Sequence, residues 1–113
     1  VTESSSTVGT PPSATPAVGR AIRVTITEFQ FESGSFDVSL GETITFEFVN
    51  IGAASHTAAI EYGEHTVMSS PRDLMSGDVG SITITFDTAG DAHLFDPQPG
   101  HEAAGETATI HVT

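Results

Sequence analysis

An all-β sandwich is the fold class this chain predicts, and three observations carry it. Apolar and polar residues alternate over four separate runs, glycines fall between or beside those runs, and only "MSSPRDLMSG" looks like a short helical turn. Seven Phe with many Val and Ile supply the apolar bulk such a sandwich needs. At 113 residues the chain allows one domain.

The opening, residues 1–19, reads "VTESSSTVGTPPSATPAVG" and offers nothing large and apolar to bury. It is expected to be a flexible linker left by processing, the tether of an exported, periplasmic, extracellular or lipid-anchored protein, with any signal segment or lipidated cysteine upstream. Residues 20–113 are expected to form the folded domain. "AIRVTITEF" sets Ile22, Val24 and Ile26 on one face, and "TITFEFVN" does the same with Ile44, Phe46 and Phe48. "SITITF" groups Ile82, Ile84 and Phe86, and "TATIHV" groups Ala108, Ile110 and Val112. Each alternation marks a strand with one buried face. No internal repeat and no apolar run of about eighteen residues occurs.

Three Arg and no Lys stand against 15 acids, a formal net charge of −12. Only Glu3 of those acids lies in the opening, so residues 20–113 carry 14 acids and 3 bases, a difference of −11. Such a field excludes nucleic acid and anionic membranes as partners and suits metal ions, a basic protein or a high-salt habitat, alongside the plain reading of a soluble acidic surface. The absence of cysteine excludes a disulfide framework and a thiolate metal site.

Five histidines are distributed over this frame. His111 alternates opposite Ile110 and Val112, and His93 opposite Ala92 and Leu94, so both are expected at the surface. His65, in "EYGEH" with Glu61 and Glu64 nearby, reads first as a solvated loop residue and second as an auxiliary ligand. His56 differs, because it follows the strand ending at Asn50 and the small-residue loop "IGAAS". His101 lies in "FDPQPGHEAAGET", where Asp96, His101 and Glu106 are separated by four residues each. A loop pinned between two strands can wrap such side chains around one ion. Asp96 shares parity with Leu94, so it points inward, where a carboxylate requires a cation or hydrogen-bond donors. Asn50, the only Asn, is expected either to tie the ligand loops together or to cap its strand. Gly100 and Gly105 give the loop its bends.

The run "DVSLGETITFEFVNIGAASHTAAIE" resembles the part of plastocyanin-type sequences that leads to the first copper-binding histidine. "FDTAGDAHLFDPQPGHEAAGETATIHV" resembles their closing part, which carries Cys, His and Met before a final strand. Together these segments identify a resemblance to the cupredoxins over most of residues 22–113. The resemblance implies a Greek-key sandwich of about seven to eight strands. It also implies that His56 and His101 match the two histidine ligands. Asp96 stands where the family has cysteine, and Glu106 where it has the axial methionine.

With both sulfur positions occupied by acids, blue-copper chemistry has no thiolate to draw on. Two imidazoles with one or two carboxylates form a hard set that favours Cu(II), with Zn(II) the competitor, and disfavours Cu(I). A facial-triad iron site is a weaker analogy. The expected function is an exported, non-blue, type-2-like Cu(II) protein for copper handling or electron transfer, monomeric, with a basic redox or copper-handling partner. The alternative is a metal-free module that docks a partner through its acidic surface. No enzyme is expected: there is no nucleophile elbow, and a glycosidase built on Asp96 and Glu106 would lack a stacking Trp.

Overall fold

A computed structural model describes residues 19–113, and they form two packed β-sheets. The strands are β1 (Arg20–Thr27), β2 (Gln30–Phe31), β3 (Ser35–Val38), β4 (Thr43–Asn50) and β5 (Ala59–Tyr62). They continue with β6 (His65–Met68), β7 (Val79–Thr85), β8 (Gly90–Phe95) and β9 (Thr107–Val112). One sheet has the order β2-β1-β4-β7 and the other β3-β9-β8-β5-β6. The expected linker falls almost wholly outside the described residues, and β1 begins at Arg20.

The alternating runs become strands because one face of each is dry. In β4, Ile44, Phe46 and Phe48 are fully buried while the residues between them are only partly covered. They meet Ile60, Leu94 and Ile110 from the opposite sheet in one continuous core. Phe46 stacks on Phe48 at a 6.1 Å centroid distance and meets Phe86 edge-on at 6.5 Å. On the outer face of the first sheet, the repeated Thr-Ile-Thr pattern produces cross-strand hydroxyl pairs, Thr43 with Thr85 at 2.7 Å and Thr45 with Thr83 at 2.9 Å.

The topology crosses between sheets. β1 runs parallel to β4, and β3 parallel to β9, whereas β4–β7, β5–β8 and β8–β9 are antiparallel. A parallel pair cannot be closed by a hairpin, so the chain passes to the other sheet and returns. Nine strands result, with the two-residue β2 adding one to the expected range.

Two local expectations change. "MSSPRDLMSG" forms bends and a turn rather than a helical one: Ser70 bridges Ser81, and Leu74 bridges His56. Leu74 is fully buried, so core contact and backbone pairing with β7 and with His56 override any helical tendency of so short a segment. His65 opens β6, paired across a tight turn with Tyr62, instead of lying in a loop. It remains exposed and far in sequence pairing from His56 and His101.

Candidate metal centre

Four side chains converge where the sandwich closes at one end. His56, Asp96, His101 and Glu106 each bring one candidate donor atom, and these atoms all lie within 4.8 Å of one another. They come from two loops, and each loop is fixed differently.

The first loop leaves β4 at Asn50, which is wholly buried. Its Nδ2 donates to the carbonyls of Ala54 at 2.8 Å and Leu74 at 2.7 Å, and its Oδ1 accepts the Gly52 N–H at 2.9 Å. One amide therefore folds "IGAAS" back on itself and ties it to the Leu74 segment; these bonds organise the first loop and the end of β4 and do not reach the second ligand loop. His56 then pairs with Leu74 through two backbone hydrogen bonds, of 3.0 and 2.7 Å. That pairing holds the imidazole at 0% exposure.

The second loop joins β8 to β9. Their last register pair is Phe95 with Thr107, so Asp96 and Glu106 are neighbours one step beyond it, linked by an Asp96 N–H to Glu106 carbonyl bond of 3.2 Å. Strand parity turns both carboxyls inward, and both are fully buried. Residues 97–105 turn back over this open end. Gly100 and Gly105 take φ of 83° and 120°, a region closed to most side chains. The Glu106 N–H donates to the His101 carbonyl at 3.2 Å, which returns that histidine to the cluster.

The inward nitrogen is Nδ1 on both rings. His56 Nδ1 lies 3.2 Å from Asp96 Oδ2 and 2.8 Å from Glu106 Oε1. His101 Nδ1 lies 2.9 Å from Asp96 Oδ2 and 3.5 Å from Glu106 Oε1. Donors bound at about 2.1 Å to a tetrahedral ion stand roughly 3.4 Å apart, so slight spreading of the cluster would admit one. His101 alone reaches the surface, with its side chain 15% exposed.

The two acids are not equivalent. Asp96 Oδ1 accepts the Gln98 N–H at 2.9 Å, and Oδ2 accepts from His101. Burial alone would raise its pKa, but the neighbouring Glu106 carboxyl, together with hydrogen bonds from Gln98, His101 and Thr57, outweighs it and holds the carboxyl below its ordinary value. Glu106 is pushed up to about 9, first by burial and then by Asp96 beside it, with Glu28 adding a smaller repulsion. Both of its oxygens are buried without a well-directed hydrogen bond; the short approach to His56 lies off the line of a ring N–H. At neutral pH the cluster therefore holds a proton on Glu106.

This donor set fits a divalent ion. Two carboxylates neutralise a double positive charge, two imidazoles complete a nitrogen and oxygen set, and the unpartnered Glu106 oxygens gain a partner. Displacing the Glu106 proton would accompany binding.

Two neighbours escaped the sequence reading. Glu28 and Phe29 form the turn between β1 and β2, whose register pairs Thr27 with Gln30. Glu28 Oε1 lies 3.1 Å from His56 Nε2, and the Ala54 N–H reaches Oε2 at 3.1 Å. These bonds, that from His56 foremost, lower the Glu28 pKa. Phe29, at φ 58°, places its ring edge-on to His101 at 5.0 Å and to His56 at 6.2 Å. No motif marks either residue; the one usable signal is the run of small residues Gly52, Ala53 and Ala54, which leaves room for a side chain from another strand.

The remaining histidines stand apart from the cluster. His93 lies 2.6 Å from Glu102 and His111 lies 2.9 Å from Asp91, all partly exposed.

No protein-family model matches the chain, and no curated protein matches it. Solved structures do match. Auracyanin B superposes with a TM-score of 0.76 at 17% identity, covering 88% of this chain and 93% of that one. The dithionite-reduced auracyanin of the photosynthetic bacterium Roseiflexus castenholzii gives 0.71 at 21% identity, covering 82% and 96%. Auracyanin A of Chloroflexus aurantiacus, a "blue" copper protein, gives 0.70 at 19% identity, covering 84% and 100%. The fold is cupredoxin-like.

Proposed function

We propose that this protein binds a divalent metal ion, Cu(II) ahead of Zn(II), at a non-blue centre formed by His56, Asp96, His101 and Glu106. The observation that carries the reading is the buried, unpartnered Glu106 carboxyl set beside two imidazole Nδ1 atoms and a second carboxylate. A buried group in that state costs stability unless something binds it. The cupredoxin-like fold and its copper-binding neighbour support copper as the ion.

His56 and His101 would contribute neutral nitrogens, Asp96 a negative charge favoured by its lowered pKa, and Glu106 a charge released when its proton leaves. Bound here, copper would supply a hard Cu(II) centre with a reduced tendency to pass to Cu(I), since no soft sulfur donor is present. That balance suits copper handling more than rapid electron transfer. Among the four donor residues only His101 is partly exposed, so the carboxyls are shielded from any substrate larger than an ion or water. We therefore assign the protein a binding role and no catalytic one. The acidic surface suits a basic partner. The opening segment suits a tether outside the cytoplasm. No helix among the described residues is long and apolar enough to cross a membrane.

The test is a Cu(II) titration of metal-free protein followed by electron paramagnetic resonance, with His101→Ala as control. A stoichiometric signal with wide copper hyperfine splitting, no strong blue band and loss in the variant is expected. Absence of specific binding would overturn the metal reading. The domain would then be a metal-free module, and its acidic surface the place to look for a partner.

A further inference from the structure

His56 is held at both ring nitrogens by acids of opposite placement. Nδ1 faces the buried cluster, while Nε2 meets Glu28, whose side chain is 45% exposed and comes from a different strand pair. The geometry points to Glu28 as the positioning residue of the metal centre: its carboxylate draws the His56 proton to Nε2, against Asp96 Oδ2 lying 3.2 Å from Nδ1, and so leaves the Nδ1 lone pair to the ion once a metal enters. This inference rests on the metal reading above.

Three features argue that the contact is built into the fold. First, the distance of 3.1 Å from Nε2 to Oε1 is that of a hydrogen bond, and the ring is fully buried, so no water competes at the imidazole. Second, the Glu28 carboxylate is itself fixed by the Ala54 N–H, at 3.3 Å to Oε1 and 3.1 Å to Oε2. Third, the loop is shaped around it. A Cβ at residue 52 would stand 2.2 Å from Glu28 Oε1, so glycine there is what lets the carboxylate approach. Gly52 is in turn held by Asn50 Oδ1. A chain of contacts therefore runs from the end of β4 through the loop to Glu28 and then to His56.

The chemical consequence follows from imidazole itself. A metal on Nδ1 requires the proton on Nε2, and a carboxylate accepting that proton makes the ring a stronger donor to the ion. It also prevents the ring from rotating away when the cluster spreads to admit a metal. Loss of such an outer partner commonly weakens metal affinity by about 10–100-fold.

The test compares the native protein with Glu28→Ala, Glu28→Gln and Gly52→Ala. Cu(II) dissociation constants would be measured by competition with a chromophoric chelator. Electron spin-echo modulation of the Cu(II) protein would read the remote nitrogen of each bound imidazole. Glu28→Ala is expected to weaken Cu(II) binding about 10–100-fold and to change the remote-nitrogen signal of one imidazole of the two. Glu28→Gln, which keeps an acceptor but not the charge, should recover part of that loss. Gly52→Ala keeps the charge but displaces it, and should resemble Glu28→Ala. Native binding with unchanged affinity and an unchanged remote-nitrogen signal in folded Glu28→Ala would overturn the role of Glu28 alone. Failure of the native protein to bind Cu(II) would overturn the metal reading, and this role with it.

Discussion

Two regions of the five-stranded sheet pair imidazoles with carboxylates at nearly the same distances, yet they differ in everything that follows from burial. On the outer face, His111 lies 2.9 Å from Asp91 and His93 lies 2.6 Å from Glu102. At the end of the same strands, His101 lies 2.9 Å from Asp96, and His56 lies 2.8 Å from Glu106. The outer pairs keep 39–65% of each side chain in solvent, whereas both cluster acids are at 0%. Water screens the first set, so its members act almost independently. Without water the second set is coupled, and one of its acids must hold a proton. The short distance alone does not make a site; the exclusion of solvent around a charge set that cannot satisfy itself does.

The comparison can be sharpened by restoring sulfur. Asp96→Cys combined with Glu106→Met should convert the buried cluster into a His₂Cys centre with an axial Met, and Cu(II) should then give an intense blue band where the native protein gives none. A folded variant that stays colourless would show that the loop does not hold these positions around one ion. Cysteine and methionine placed at His93 and Glu102 should produce no such band, because that pair has one histidine and the substitution removes it.

Removing the imidazoles separates the regions by stability. His56→Ala leaves the buried Asp96 with one hydrogen-bond partner fewer and should cost about 1–3 kcal/mol, read from denaturant unfolding. That is a large share of the total for a domain of this size.

A smaller effect of opposite sign is expected from Glu106→Gln in metal-free protein. The folded pKa of Glu106 is raised to about 9 from an unfolded value of 4.5. The folded state therefore holds a proton the unfolded state has lost, and stability from this group, complete below pH about 4.5, declines as pH rises toward about 9. Asp96 acts in the other direction: its folded pKa is depressed, so its contribution is present above its unfolded value of 3.8 and is lost as pH falls below that. Glu106→Gln should remove the alkaline decline and raise the melting temperature near pH 8 by at least about 5 °C, the shift that roughly 1 kcal/mol produces in a small domain. The same variant should bind Cu(II) more weakly. A variant with neither change would place Glu106 outside the coupled cluster.

The smallest effects belong to the outer face. His111→Ala and His93→Ala should each change stability by no more than about 1 kcal/mol and leave stoichiometric Cu(II) binding intact. Loss of that binding in either variant would erase the distinction between the two regions.

Much of the cluster was legible before any coordinates because strand parity is a local property. Asp96 continues the inward series Ala92, Leu94, so period-two geometry commits it to the interior, whereas Glu106 is marked in the sequence only by the cupredoxin resemblance. The same alternation places His111 and His93 on the outer face. The segment around Leu74 is not legible, because its course is set by bridges to His56 and Ser81 rather than by its own residues. Glu28 was hidden for a similar reason: it lies 28 residues from His56 in the chain, on a turn whose composition is unremarkable.

By itself, then, the sequence determined which faces of β1, β4, β7 and β9 are dry, that Asp96 points inward, and that no sulfur ligand other than methionine thioether exists. These follow from side-chain periodicity and chemical inventory, which need no knowledge of distant neighbours. Tertiary structure alone decided that Asp96 stays charged while Glu106 holds a proton, that Phe29 shields His101, and that Glu28 closes on the far nitrogen of His56. Those outcomes depend on distances between charges and on the removal of water between them, and both arise only when the two sheets and their loops are brought together.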